Sequence, residues 1–447
     1  MTKLKRIIKT IIKSLPFNIP EFIANTRTRS AVFFSRPIKT DKILLQQPRP
    51  KVTVICLIYK SIGYLDFVYK SFNKYTKKAS FLFVANDATE KVKNYLKENN
   101  LPHLIIVCAV PTFIAIRRFY PESKITLLTS PGKIGAIGAK ELLNDAWFFD
   151  EIKVYYVEDI DSWDKKVNFF NNFRKKRYDL FIQLIGDTAS FWWLLRNMVF
   201  ALIIGAKSVL GFKIGTVYMF KKAQFDWLSD KTEVERLIDF LKEGGIAIRE
   251  IEFDLPVSVE KKKRVERFLE NKWSKIMDDG KLIIAINPGG KFKTNHWPVE
   301  RFAKLAKYLQ NKYGVKIVVV GGKNDVPAAE IIKAGLDKKN VLSAAGELDI
   351  LETFELLKHC SFLISNNTGT IHLAAAAGTP VVVFYGVRDA FGRWFPYGKN
   401  HKILCHRFLN CDYKEEGCIK KSIEAITIEE TIGASEQLIK QIYELPR

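Results

Sequence analysis

Residues 362–386, FLISNNTGTIHLAAAAGTPVVVFYG, hold the pattern from which the fold of this chain is read. A short apolar run, FLIS, ends in polar residues; a small-residue stretch, LAAAAG, follows; Thr379 and Pro380 then open a second apolar run, VVVFY. Strand, helix and strand in that order build a parallel sheet, and such sheets bind ligands beyond the carboxyl ends of their strands. The residues between the first strand and the body of the helix, Asn367, Thr368, Gly369, Thr370 and His372, therefore fall where a ligand is expected. Backbone amides and hydroxyls at a helix start suit phosphate oxygens, because partial positive charge collects there. His372, in the first helical turn, is either a phosphate donor or a core histidine.

The same logic applies upstream. LIIAIN (282–287) runs into Pro288, Gly289 and Gly290, then Lys291, Lys293 and Thr294, before HWPVERFAKLAKYL (296–309) reads as a helix opened near Pro298. Glycines let the backbone approach a ligand closely, and lysines beside a helix start suit a pyrophosphate. KIVVVGGKND (316–325) is a third strand end, which makes Asn324 and Asp325 candidates for contact with a nucleoside.

Further outward, five segments separate. Residues 1–50 are a basic arm in which Lys3, Lys5, Arg6, Lys9 and Lys13 interleave with Leu4, Ile7, Ile8, Ile11, Ile12 and Leu15 at helical spacing. Such a helix lies on an anionic membrane surface or docks on the protein's own core. Residues 51–103 read as βαβ: VTVICLIY and FLFVAN are strand-like, with helix-like stretches at Tyr64–Tyr75 and Glu90–Asn99, and LIIVCAV (104–110) follows as another strand. Residues 104–258 repeat the alternation through KITLLTS, KVYYVED, DLFIQLIG and AKSVLGF, and 259–280 form a charged connecting helix. Residues 281–447 hold the strand ends already described. The apolar run Phe191–Ala206 is interrupted by Arg196 and short for a membrane span, so it is expected as a buried or acceptor-facing helix whose Trp192 and Trp193 are able to touch lipid.

The 71 Lys+Arg against 48 Asp+Glu give a formal charge of +23, which calls for an anionic partner. No nucleic-acid motif accompanies that charge and the basic residues are spread along the whole chain, so nucleic acid is not expected. Cys56, Cys108, Cys360, Cys405, Cys411 and Cys418 are expected as reduced thiols, their spacings lacking the C-x-x-C pairs of zinc sites.

NNTGTIHLAAAAGTPVVVFYG resembles the signature of glycosyltransferase family 9, in which an acidic residue, Thr, Gly and His precede an alanine-rich helix. INPGG, HWPVERFAKL and LSAAGELDILETFELLKHCSFLISN extend the likeness over most of residues 281–447, and PTFIAIRRFYPESKITLLTSP and YDLFIQLIGDTASFWW carry it into 104–258. The resemblance implies an α/β fold of GT-B type, with two Rossmann-like lobes facing a cleft, here preceded by the extra βαβ segment and the amphipathic helix. It implies inverting transfer of a heptose-like sugar from a nucleoside-diphosphate sugar, ADP-heptose in the best-known members, to a lipid-linked glycan of the lipopolysaccharide-core kind. No cofactor or metal is implied. With the basic arm, it also implies a cytoplasmic enzyme peripheral to the inner face of a bacterial inner membrane.

Carried onto this chain, the resemblance has Thr368, Gly369 and His372 hold the diphosphate. Asn367 stands at the family's usual acidic position, and Asn295 where the family commonly has Lys, so that Lys291 or Lys293 would supply that charge. The family's Gly-x-Gly-Asp-like loop, whose Asp serves as base, has no counterpart between LIIVCAV and Pro111; Asp187 is the nearest substitute. Residues 51–103 resemble the opening of a family 2 glycosyltransferase, with Asp87 at an early acidic position and no later match to that family's metal motif. A fusion, or a catalytically impaired homologue that still binds the donor, is the alternative expectation. The aspartates of VEDIDSWD, Asp159 and Asp161, are expected in a solvated loop.

Overall fold

The computed structural model describes residues 52–55, 102–132, 138–184, 191–212, 231–273, 280–290, 295–386, 392–406 and 416–444. The N-terminal arm, most of the family 2-like segment, Asp187, Lys291 and Lys293 lie outside the described residues.

Two parallel sheets organise the chain, and each has a helical crossover after nearly every strand. The first contains β1 (Val52–Ile55), β2 (Thr126–Gly132), β3 (Glu151–Tyr156), β4 (Leu180–Gln183) and β5 (Ser208–Leu210), in the order β3-β2-β1-β4-β5. The second contains β6 (Ile283–Asn287), β7 (Lys316–Val319), β8 (Val341–Ser343), β9 (Phe362–Asn366), β10 (Val381–Tyr385) and β11 (Lys402–Cys405), in the order β11-β10-β9-β6-β7-β8. Two such lobes form the GT-B architecture. In both sheets the strand order reverses at the centre, between β1 and β4 and between β6 and β9, and those two switch points are where open α/β sheets bind ligands.

In the first lobe, α1 (Pro102–Phe119), α2 (Ala139–Leu143), α3 (Trp163–Arg174) and α4 (Phe191–Ile203) precede β2, β3, β4 and β5 respectively, and α5 (Glu233–Glu243) follows β5. One sheet face is covered by α3 and α4 through an aromatic cluster of Phe170, Phe173, Phe181, Phe200 and Phe212. In the second lobe Trp297, Phe302 and Phe384 pack with ring centroids 4.7–5.6 Å apart. Burying a large aromatic side chain stabilises by roughly 1.5–3 kcal/mol.

Two expectations change. LIIVCAV is not a strand but the first half of α1, which begins at Pro102 and carries Pro111 in its interior. The physical reason is burial on all sides: Ile106, Val107, Cys108, Ala109 and Val110 are each at most 1% exposed, beneath the sheet and against the second lobe. Such a helix shows the same unbroken apolar run as a buried strand. The central strand between β2 and β4 is instead Val52–Ile55, which pairs in parallel with β2 (Thr53 with Thr126) and with β4 (Thr53 with Phe181). That strand is thus a central member of the first lobe's sheet, not part of a separate N-terminal unit. The cysteines also differ from expectation: Cys108, Cys360 and Cys405 stand outside any disulfide, but Cys418 is disulfide-bonded. A thiol's state follows from its neighbours in space, which Cys spacing alone does not reveal.

The lobes meet across a continuous core. The connecting segment is α6 (Val259–Glu270); its Val265 and Leu269 enter the shared core. Lys261 pairs with Asp349 and Arg264 Nη1 donates to Glu352 Oε1 at 2.6 Å, tying α6 to the start of α9 (Ile350–Lys358) in the second lobe. Among the described residues no helix is long and apolar enough to cross a membrane.

Thr53→Pro tests the placement of β1. Removing an N–H and a ladder bond from a central strand should destabilise the first lobe by about 3 kcal/mol or more, the scale of proline forced into regular structure. A melting transition unchanged from the parent chain would mean that Val52–Ile55 is dispensable to that sheet.

Candidate functional site

Both central strands of the second lobe are buried throughout and end in asparagine: IIAIN in β6 and FLISN in β9. A buried amide needs partners for its N–H groups and its oxygen, and here those partners are the two loops that leave these strands. Asn366 Nδ2 donates to the carbonyls of Pro288 (2.7 Å) and Gly289 (3.2 Å), while its Oδ1 accepts from Trp297 N–H at 2.9 Å. Asn287 Oδ1 accepts from Gly289 N–H at 3.0 Å, and its Nδ2 donates to Thr370 Oγ1 at 2.7 Å and Thr368 Oγ1 at 3.2 Å. Each asparagine spans from its own strand to the loop that leaves its neighbour.

Thr368 caps α10 (Gly369–Ala376), accepting from Thr370 N–H. Asn367, Thr368, Gly369 and Thr370 are half-buried at the strand end, facing the Gly289–Gly290 turn. A Cβ on Gly290 would lie 3.2 Å from the Thr368 methyl and 3.0 Å from His296 Nε2, and His296 donates to Gly290 O at 2.9 Å. A Cβ on Gly289 would lie 2.3 Å from the Asp325 carboxylate, so no side chain fits between loop and acid. Trp297 is pinned below by its Nε1 donating to Ile426 O at 2.8 Å.

The structure brings Gly289, Gly290, Asp325, Asn367, Thr368, Gly369 and Thr370 to one sheet edge. Asp325 accepts from Gly322 N–H at 2.8 Å; burial pushes its carboxyl up, against the pull of that N–H and of His296. Asn324 is exposed on the outer side of the same turn. Lys291 and Lys293 lie outside the described residues, as does Asp187, whose strand β4 ends beside β1 at the first lobe's switch point. Asn295 is buried, with its Oδ1 2.3 Å from where a Gly386 Cβ would stand, so it fills the space at the end of β10.

His372 is 3% exposed and lies between the lobes. Its Nδ1 is 3.4 Å from Cys108 Sγ on α1, its ring meets Trp394 edge-on, and its buried Nε2 has no partner among the described residues. Burial, reinforced by His401 and opposed by Glu233, lowers its pKa to about 3, so the ring is neutral. Burial holds the Cys108 thiol protonated. A thiol donating to Nδ1 leaves the proton on Nε2, the polarity a phosphate oxygen requires. Glu233, 2% exposed, stands nearby between Arg236 (2.5 Å) and Arg393 (2.9 Å); burial raises its carboxyl, but the two guanidinium groups bring it net below the usual range.

Asn287 and Asn366 were not among the residues singled out from sequence. Their signal is there nonetheless: an amide at the last position of each of two otherwise buried strands. Asp159 and Asp161 are solvated as expected, but Asp159 lies in a short 3-10 helix, Val157–Ile160, rather than a loop; it accepts from Tyr156 N–H, and Asp161, just after that helix, pairs with Lys165. No group of three or more His, Cys, Asp or Glu among the described residues is arranged to hold a metal.

Residues 167–423 match the model of glycosyltransferase family 9 (heptosyltransferase). Lipooligosaccharide heptosyltransferase 2 of Haemophilus ducreyi is 33% identical over 114 residues, which cover 24% of this chain and 32% of that relative. The chain thus spans about a third of the length of such relatives in these matches. Lipopolysaccharide heptosyltransferase 3 of Escherichia coli K12 is 22% identical over 359 residues, 76% of this chain and 96% of that one. Among solved structures, a family 9 glycosyltransferase from Veillonella parvula superposes with a TM-score of 0.60 at 18% identity, covering 88% of this chain and 99% of its own. E. coli heptosyltransferase WaaC with ADP superposes at 0.52 and 14% identity, covering 87% and 99%. At these identities the structural likeness establishes the shared fold.

The depressed His372 pKa has a sign that can be checked. Above pH 6.5 both folded and unfolded chains hold the ring neutral; between 6.5 and about 3 only the unfolded chain binds the proton, so stability falls as pH falls. Relative to His372→Gln, the parent should lose about 2 kcal/mol between pH 7 and pH 5 in denaturant titrations. Parallel stability curves for the two proteins would show that His372 titrates normally.

Proposed function

The chain belongs to glycosyltransferase family 9, and from that premise we propose that it moves a heptose-like sugar from a nucleoside-diphosphate sugar, ADP-heptose first among the candidates, to a lipopolysaccharide-core or related lipid-linked glycan with inversion. The observation that carries this reading is the meeting of the Gly289–Gly290 turn with the N-terminus of α10 at the switch point of the second sheet, beside the buried Nε2 of His372, which has no partner among the described residues. Helix N–H groups and a buried neutral imidazole stabilise a leaving diphosphate, and they act where charge develops as the sugar–phosphate bond breaks. The ADP named for WaaC supports an adenine nucleotide as the donor's leaving group.

In the proposed step the acceptor hydroxyl oxygen attacks the anomeric carbon from the face opposite the diphosphate. The carbon–oxygen bond to phosphate breaks, and the hydroxyl proton passes to a carboxylate. Strands β1 and β4 end at the first lobe's switch point, and Asp187 follows Gln183 by four residues in sequence, so it is the candidate base. Lys291 and Lys293 would add positive charge on the diphosphate side, and the scheme requires no metal.

A second reading, a donor-binding protein without turnover, is favoured by one feature. The family's catalytic loop follows its first strand, and residues 56–101, which follow β1 here, contain no Gly-Asp pair.

Calorimetric titration with ADP, ADP-heptose, UDP and UDP-sugars decides the donor. ADP and ADP-heptose should bind at least tenfold more tightly than the uridine compounds, and Thr368→Ala should weaken them by about tenfold, or 1.4 kcal/mol. Asp187→Asn should leave that affinity intact and abolish ADP release in the presence of lipid-linked acceptor. Binding without release by the parent chain would favour the second reading, and no binding by any nucleotide would overturn both.

A further inference from the structure

The helix α4, FWWLLRNMVFALI, has two polar residues, Arg196 and Asn197. Asn197 is on the inner face: it is buried and donates to Gln183 Oε1 at 3.0 Å, beside buried Phe200, Ala201 and Ile204 of the same segment. The outer face is apolar and open. Leu195 and Leu202 are 37% and 48% exposed, and their spacing of seven puts them on one side, with half-buried Met198 and Val199 between them. Val209, on edge strand β5, adds a further exposed apolar residue at 37%. A helix that is apolar on every side is ordinarily enclosed, whereas this one leaves Leu195 and Leu202 exposed on one side.

Positive charge borders that side. The turn from α3 to β4 carries exposed Arg174, Lys175 and Arg177, for which no carboxylate partner exists among the described residues. That turn is stitched to the end of the α4–β5 connection: Lys207 N–H donates to Tyr178 O at 3.1 Å and Ser208 N–H to Asp179 O at 2.9 Å, while Gly205 N–H closes on Leu202 O. Lys207 itself is exposed and paired with Asp179 at 2.7 Å. Exposed apolar residues flanked by exposed cations fit a surface that is apolar beneath and anionic at its boundary. A second copy of this chain fits poorly, because each copy has a formal charge of +23.

We propose that the outer face of α4, with Val209 and the Arg174–Arg177 turn, is the surface by which the first lobe docks on an anionic lipid bilayer. This deepens the transferase reading. Because α4 starts beyond the carboxyl end of β4, docking on this face brings the rim of the cleft to the lipid surface where a lipid-linked acceptor lies. The docking itself rests on α4 and the turn alone, and vesicles without donor or acceptor test it separately from catalysis.

The basic N-terminal arm is an independent source of membrane affinity, so the decisive readout is local. A fluorophore attached to the full chain at Leu202→Cys should be quenched by brominated phosphatidylglycerol-containing vesicles, and several times less by phosphatidylcholine alone. The same fluorophore at Ile331→Cys, exposed on α8 (Val326–Ala334) of the second lobe, should be quenched little in either, after subtraction of labelling in the parent chain. Paired reversal, Arg174→Glu with Arg177→Glu, should reduce the quenching at 202 severalfold, and high salt should do the same. Equal quenching at 202 and 331, or none at 202, would overturn the proposal. So would a dimer in sedimentation velocity that Leu195→Glu with Leu202→Glu dissociates, which would assign this face to self-association.

Discussion

The side-chain amide of Asn366 is the contact on which the candidate site depends. It lies at the end of a strand buried on both faces, where its hydrogen-bonding groups have no access to bulk water, and it satisfies them on the glycine turn and on the backbone of Trp297. An unsatisfied buried amide costs about 1–3 kcal/mol, so the turn is held wherever the amide holds it. Asn287 makes the reciprocal connection to the threonines at the start of α10. Together they fix a glycine turn and a helix N-terminus against one another without a charged residue. The oriented peptide groups held in this way carry partial positive charge that need not reorganise when negative charge develops beside it.

The second constraint is the junction of the lobes. α1 is buried against the first sheet and against α10, so the helix whose N-terminus faces the Gly289–Gly290 turn is also packed on the first lobe. Cys108 on one helix and His372 on the other meet there as neutral groups. The ionised Glu233 close by is matched by Arg393 across the junction and by Arg236 on its own helix, and Glu233 N–H also donates to Arg393 O at 2.8 Å. Pairing of this kind is what permits a carboxylate at 2% exposure.

The second lobe was legible because its strand ends carry their chemistry in order along the chain: apolar run, polar break and helix, repeated after β6, β7 and β9. The first lobe was less so. LIIVCAV is as apolar as a buried strand because it is a helix enclosed on every side. The pairing of Thr53 with Thr126 and Phe181 joins residues far apart in sequence, which no local period encodes. The sequence leaves His372 open between ligand and core, and its neighbours explain why: it is buried like a core residue, yet Nε2 has no partner among the described residues. Asn287 and Asn366 were passed over because strand-end amides look like ordinary turn residues until the loop from the adjacent strand is seen beside them.

A crystal structure of the chain with ADP bound tests the central claim most directly. The account predicts the diphosphate between the Gly289–Gly290 turn and the first turn of α10, accepting from the N–H groups of Gly369 and Thr370 and from His372 Nε2, with Asn366 still bonded to Pro288 and Gly289. A diphosphate bound elsewhere, or one that leaves the start of α10 and His372 without a phosphate contact, would contradict it.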